Sequence, residues 1–275
     1  MSVEELKRFA RWLGVSQKTT KRYLYMVQRY LDWLQGKEPT PENLQQWLLS
    51  LDMKPSSIHK YWQAVKQYFY YIGKGRELQD AINLKVIRLP RTNKEDPPMM
   101  TVEQVHKCIK VARGYRNKAL IAVMYDCALR LIETVNLNRE DVNFDKAEIT
   151  VRRRKGGHGQ ILRINEYPLE LLETYLESRI DRHPALFVGR FGRLNESTIR
   201  KICYAVGRSA KLPFELHPHV LRHARAIHMR QAGVPIETIR DFLGHVNIQT
   251  TLIYARFSTA DVREFAKSSG IWRLD

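Results

Sequence analysis

Four stretches of the chain carry side chains able to do chemistry. In "FLGHVNIQTTLIYARF", residues 242–257, His245 precedes Tyr254 by nine positions, and an arginine follows close behind the tyrosine. Such a tyrosine either plugs a core, as most do, or is held there for its hydroxyl. "HPHVLRHARAIHMRQAG", residues 217–233, contains four histidines. His219 and Arg222, three apart, share a helix face. His219 and His223 lie one turn apart, but no glutamate or cysteine completes a metal-ligand pattern, so no metal is expected. In "YDCALRLIETVNL", Arg130 and Glu133 are the only charges between Asp126 and Arg139. An arginine in so apolar a setting is paired, either to brace a helix end or for function. Finally, Lys155 in "RRRKGGHGQ" either reaches a phosphate, donates a proton, or belongs to a solvated basic loop. The stretch is no P-loop, because no Lys-Ser/Thr opens a following helix.

The elements around these residues are mainly α-helical. Residues 1–73 read as a helical domain. Ser2 with Glu5 makes a capping box, and Tyr23, Val27, Tyr30, Leu31 and Leu34 form one apolar face. Thr40-Pro41 opens a helix carrying Leu44, Trp47, Leu48 and Leu51. A fourth helix buries Ile58, Tyr61, Trp62, Val65, Phe69 and Ile72. Its opposite face, and that of the second helix, present Lys60, Lys66, Lys21, Arg22 and Arg29. Glycine, proline and charge dominate residues 74–100, which is linker composition. A second domain, 101–275, opens on the capping box of Thr101 and Gln104. Ala147 to Glu166 interrupts its helices with alternating Ile149 and Val151, a turn at Lys155-Gly156-Gly157, and a return strand, the pattern of a β-hairpin with a basic tip.

The chain has 46 Lys+Arg against 29 Asp+Glu, a net charge of +17, and both parts share the excess. Such a balance points to a polyanion, and nucleic acid fits best because basic surface releases counterions from phosphates. A membrane surface is the competing polyanion, but no basic amphipathic anchor or lipidation signal supports it. The longest apolar run, Ala119–Tyr125, is too short for a bilayer, and the N-terminus lacks the apolar core of a secretory signal. Cys108, Cys127 and Cys203 have no metal spacing and read as reduced core residues. A cytoplasmic protein is expected.

The order of the four stretches is distinctive: Arg, a hairpin Lys, His-x-x-Arg, Leu-Gly-His, then Tyr nine residues on. With the basic two-part chain, it resembles the tyrosine recombinase (phage integrase) family, most closely over the forty or so residues from His217 to Arg256. Three positions depart from the family pattern: Ala128 where glycine is common, Ile132 where a small residue is frequent, and Arg225 where an aromatic is frequent. All three concern packing.

The resemblance implies a helical core-binding domain followed by a mixed α/β catalytic domain, and assigns roles. Tyr254 would attack a DNA phosphate, leaving a 3′-phosphotyrosyl link and a free 5′-hydroxyl. Arg130, Arg222 and His245 would hold the charged phosphorane; His219 would take the tyrosine proton and Lys155 would protonate the leaving oxygen. Glu133 would orient this set, and no cofactor or metal is needed. Lys21, Arg22, Lys60 and Lys66 would meet double-stranded DNA at an inverted-repeat site, with a dimer per site and a tetrameric synapse. The tail, 258–275, would pack on a neighbouring protomer. The absence of a further domain ahead of 1–73 suggests a Xer-like member. A non-catalytic DNA-binding relative and a type IB topoisomerase-like enzyme are the alternatives, and the complete catalytic set argues against the first.

Overall fold

A computed structural model describes residues 3–92, 98–152, 159–245 and 251–255. The chain divides into two compact units, Met1–Glu95 and Asp96–Asp275. The first unit is a helical bundle of α1 (Val3–Trp12), α2 (Gln17–Leu34), α3 (Pro41–Ser50), α4 (Pro55–Tyr71) and α5 (Gly75–Asn83). Ser16 caps α2 by accepting from the Thr19 N–H, and Thr40 does the same for α3 through Asn43, with Pro41 at the first helical position. The apolar faces meet in one core of Phe9, Val27, Tyr30, Leu34, Leu44, Trp47, Val65 and Phe69.

The structure corrects the expected linker. Residues 75–83 form α5, and Leu78, Ala81 and Ile87 bury themselves in the same core. Gly75 permits this, since a Cβ there would collide with the Tyr70 ring. The first unit therefore extends well beyond Gly73.

The second unit is built around α7 (Gly114–Asp126), which is buried on every side from Ala119 onward. A helix apolar all round belongs inside a core, and α6 (Val102–Val111), α9 (Glu166–Glu177) and α11 (Pro218–Gln231) pack against it. The capping box of Thr101 and Gln104 opens α6. Between α8 (Leu131–Asn136) and α9 lies an antiparallel sheet of β1 (Val142–Asn143), β2 (Glu148–Val151) and β3 (Gln160–Arg163) in sequential order. Ile149 pairs with Leu162, and Val151 with Gln160. A small hairpin, β4 (Val188–Gly189) with β5 (Gly192–Arg193), leads to α10 (Glu196–Ser209). After α11 come α12 (Ile236–Leu243) and a 3-10 turn, Leu252–Tyr254. The three cysteines are buried and unbonded to one another. The fold is thus mainly α with a small sheet. The Ser2 cap, Lys155 and the tail 258–275 lie outside the described residues.

Candidate active site

Arg130 stands at the cap of α8, where its N–H donates to Glu133 Oε2 (2.8 Å) and its Nη1 to Oε1 (2.6 Å). The helix brace and the functional reading therefore coexist in one residue. Arg222 comes from α11 and is 4% exposed. It approaches the other side of the same carboxylate, with Nη1 3.8 Å from Glu133 Oε2. Glu133 is 5% exposed, so one buried anion lies between two guanidiniums.

Main-chain carbonyls fix both arginines. Arg222 donates to Ala128 O (2.5 Å) and Leu243 O (2.6 Å), and Arg130 to Gly244 O (3.0 Å). Leu243 and Gly244 end α12, where carbonyls lack helical partners. Gly244 turns the chain at φ 58°, a left-handed conformation that favours glycine. This gives Leu-Gly-His a physical meaning: the first two residues supply acceptors to the arginines, and His245 follows directly. His245 Nδ1 is bonded to Thr251 Oγ1 at 2.8 Å.

Tyr254 is 1% exposed, in a small cluster with Ala128, Ala226, Ile227, Ile239 and Leu243. Its hydroxyl is hydrogen-bonded to Nδ1 of His223. Burial pushes the phenol up to about 12, against a smaller opposing pull from Arg222. His223 is pushed down to about 4, chiefly by burial and then by the charges of His219, Arg222 and His217. His219, one turn back, is exposed, and its ring lies 6.5 Å from that of His223. Burial, then His217, Arg222, Arg200 and Arg130, lower its pKa.

The structure therefore brings Arg130, Glu133, Arg222 and Tyr254 together. In this conformation the histidine touching the tyrosine is His223, not His219. The helical spacing of His219 and His223 had put both on one face, but only the fold reveals the tyrosine as partner. Lys155 lies among residues 153–158, outside the described set. At the base of that hairpin Gln160 donates to Asp241 O at 2.9 Å, tying β3 to the helix that supplies the arginine acceptors. Among the described residues, no group of three or more His, Cys, Asp or Glu is arranged to hold a metal ion.

Arg225 has a separate task. It pairs with Asp126 at 3.3 Å and lies over the Tyr125 ring. Asp126 also accepts from the Asn165 N–H (2.9 Å), so the pair joins α7, α9 and α11.

In the first unit, Lys21, Arg22 and Lys60 are exposed, and Lys66 is half-buried with its ammonium 5.9 Å from the Tyr70 ring centre. Arg29 donates to the Tyr61 hydroxyl at 2.7 Å, joining α2 to α4.

This helical architecture with its small sheet is shared with solved site-specific recombinases. The crystal structure of XerA recombinase matches at 26% identity with a TM-score of 0.57, covering 98% of this chain and 99% of its own. XerH site-specific recombinase, bound to palindromic difH substrate in a post-cleavage complex, matches with a TM-score of 0.77. It covers 97% of this chain and 84% of its own, and at 18% identity shows the fold alone. The phage integrase family matches residues 98–260. Tyrosine recombinase XerA of Pyrococcus horikoshii is 34% identical, over 94% of this chain and 91% of its own. Tyrosine recombinase XerC of Shewanella oneidensis is 29% identical, over 92% and 86%. The chain belongs to the phage integrase family.

Proposed function

We propose that this protein is a site-specific recombinase that cuts and rejoins double-stranded DNA through Tyr254. The tyrosine oxygen attacks phosphorus, the bond to the 5′-oxygen breaks, and a 3′-phosphotyrosyl link and a free 5′-hydroxyl result. Attack by a 5′-hydroxyl on that link reverses the step. The phosphodiester energy is kept throughout, so the reaction needs no nucleotide cofactor. Arg130 and Arg222 hold the non-bridging oxygens, where preorganised cations act most strongly, and His245 adds a donor. His219 accepts the tyrosine proton from its exposed position, and Lys155 protonates the leaving oxygen. Glu133 orients the arginines. Lys21, Arg22, Lys60 and Lys66 grip DNA beside an inverted-repeat site, with two protomers per site and four in the synapse.

The observation carrying this reading is the arginine pair, fixed around one buried carboxylate, with Tyr254 in the same buried cluster as the residues whose carbonyls hold Arg222. Its test needs no known site. The protein is incubated with genomic DNA of its own host, denatured with detergent, and the DNA that stays covalently attached is sequenced. A shared inverted-repeat sequence is the expected result. Adducts without a common sequence would favour a topoisomerase, and no adduct would favour a non-catalytic DNA-binding protein.

A further inference from the structure

His223 has no part in the chemistry just described, yet it is hydrogen-bonded to the Tyr254 hydroxyl. A phosphate cannot reach a hydroxyl that is 1% exposed, because in-line attack needs the phosphorus against the oxygen. The conformation described here therefore withholds the tyrosine. It does so with a satisfied hydrogen bond, since an imidazole kept neutral by burial offers Nδ1 as acceptor. The surroundings of the tyrosine lead to the arginines: Ala128 and Leu243 share its buried cluster, and their carbonyls bind Arg222. Phosphate oxygens arriving at Arg222 compete with those two carbonyls, and so act on the cluster that encloses the tyrosine.

We propose that His223 is a positioning residue that holds Tyr254 withdrawn, and that DNA binding at the arginine pair releases it. The proposal rests on the reading of Tyr254 as nucleophile. His219 and His223 then divide the work of one helix face. The exposed His219 serves the reacting tyrosine, and His223 beneath it serves the waiting one. Premature attack on random DNA is suppressed because the tyrosine must first leave a partner and a pocket.

The test is nitration of the full-length protein, without DNA, by tetranitromethane, followed tyrosine by tyrosine with peptide mass spectrometry. Exposed Tyr25 and Tyr115 serve as internal references. In the wild type they should react while Tyr254 does not. His223→Leu should raise Tyr254 nitration by about tenfold, the weight of one hydrogen bond. His223→Asn, which puts an acceptor near the Nδ1 position, should restore protection. The leucine variant should also form the covalent DNA adduct faster than wild type. Unchanged protection of Tyr254 in a folded His223→Leu would overturn the proposal, as would slower adduct formation, which would make His223 a proton acceptor. Should leucine unfold the chain, seen as nitration of buried Tyr30, His223→Gln replaces it, and equal protection by Gln and Asn counts against the hold. The nucleophile reading fails separately, if Tyr254→Phe still forms adduct.

Discussion

Ala128 has a φ of 46°, a left-handed backbone that costs an L-residue about 1–2 kcal/mol. The fold keeps it there because its carbonyl accepts from Arg222 and its methyl group is buried in the cluster that holds Tyr254. Relief of strain in Ala128→Gly is offset by the greater freedom of glycine in the unfolded chain, about 0.5–1 kcal/mol, so that variant should unfold in urea within about 1 kcal/mol of wild type. Ala128→Val adds β-branching and volume in a filled pocket and should lose about 2–3 kcal/mol. Glu133→Gln keeps the shape but removes the charge between the two arginines. It should destabilise the protein by about 1–3 kcal/mol and slow covalent adduct formation at least about tenfold, with DNA affinity little changed. Arg130, Arg222, His245 and Tyr254 stood out in the sequence as candidates because each sits in a short motif of fixed spacing. The His223 contact was not, because its partner lies 31 residues away and obeys no periodicity. The acceptor role of Ala128 was equally hidden, since a carbonyl leaves no mark on residue type.

At the scale of elements, the same limits explain α5. Leu78, Ala81 and Ile82 have helical spacing, but the glycines and charges beside them read as linker, and only the core of the first unit shows where they go. The long faces of α2 and α4 were plain because their aromatic and aliphatic repeats span many turns. In α11, His228 accepts from or donates to the Tyr125 hydroxyl through Nδ1 (2.7 Å) and meets Met100 O through Nε2 (2.8 Å). A carbonyl only accepts, so Nε2 carries the proton and Nδ1 is the acceptor. Burial lowers the pKa of His228 to about 4, against a smaller rise from the Met100 carbonyl, so the folded state favours the neutral ring. Its stabilising effect is complete above the unfolded value near 6.5 and is lost as pH falls through 6.5 towards 4. Wild-type stability should therefore drop between pH 7 and pH 5 with a slope of about 1.4 kcal/mol per pH unit from this group below 6.5. His228→Gln, which keeps a donor for Met100 O but does not titrate, should make the profile shallower in urea titrations, leaving the slope from His223, which burial also lowers to about 4. For the β2–β3 hairpin, Lys155→Ala should slow strand cleavage. A substrate with sulfur at the bridging 5′ position, a better leaving group, should recover most of the rate. Equal loss on both substrates would assign Lys155 to phosphate binding.

For the whole molecule, the net charge of +17 is the dominant fact. Lysines and arginines in both units should contact phosphates, and DNA affinity should fall linearly with salt on a log–log plot, by about 0.9 per phosphate contacted. An affinity indifferent to salt would contradict that arrangement. The central claim, that Tyr254 carries the DNA, is tested most directly by digesting the detergent-stable adduct with protease and nuclease and locating the residual nucleotide by mass spectrometry. The account predicts a nucleotide 3′-phosphate on the peptide containing Tyr254, and a Tyr254→Phe protein that binds DNA with near wild-type affinity but yields no adduct. A nucleotide on any other residue, or adduct persisting in Tyr254→Phe at the wild-type level, would contradict it.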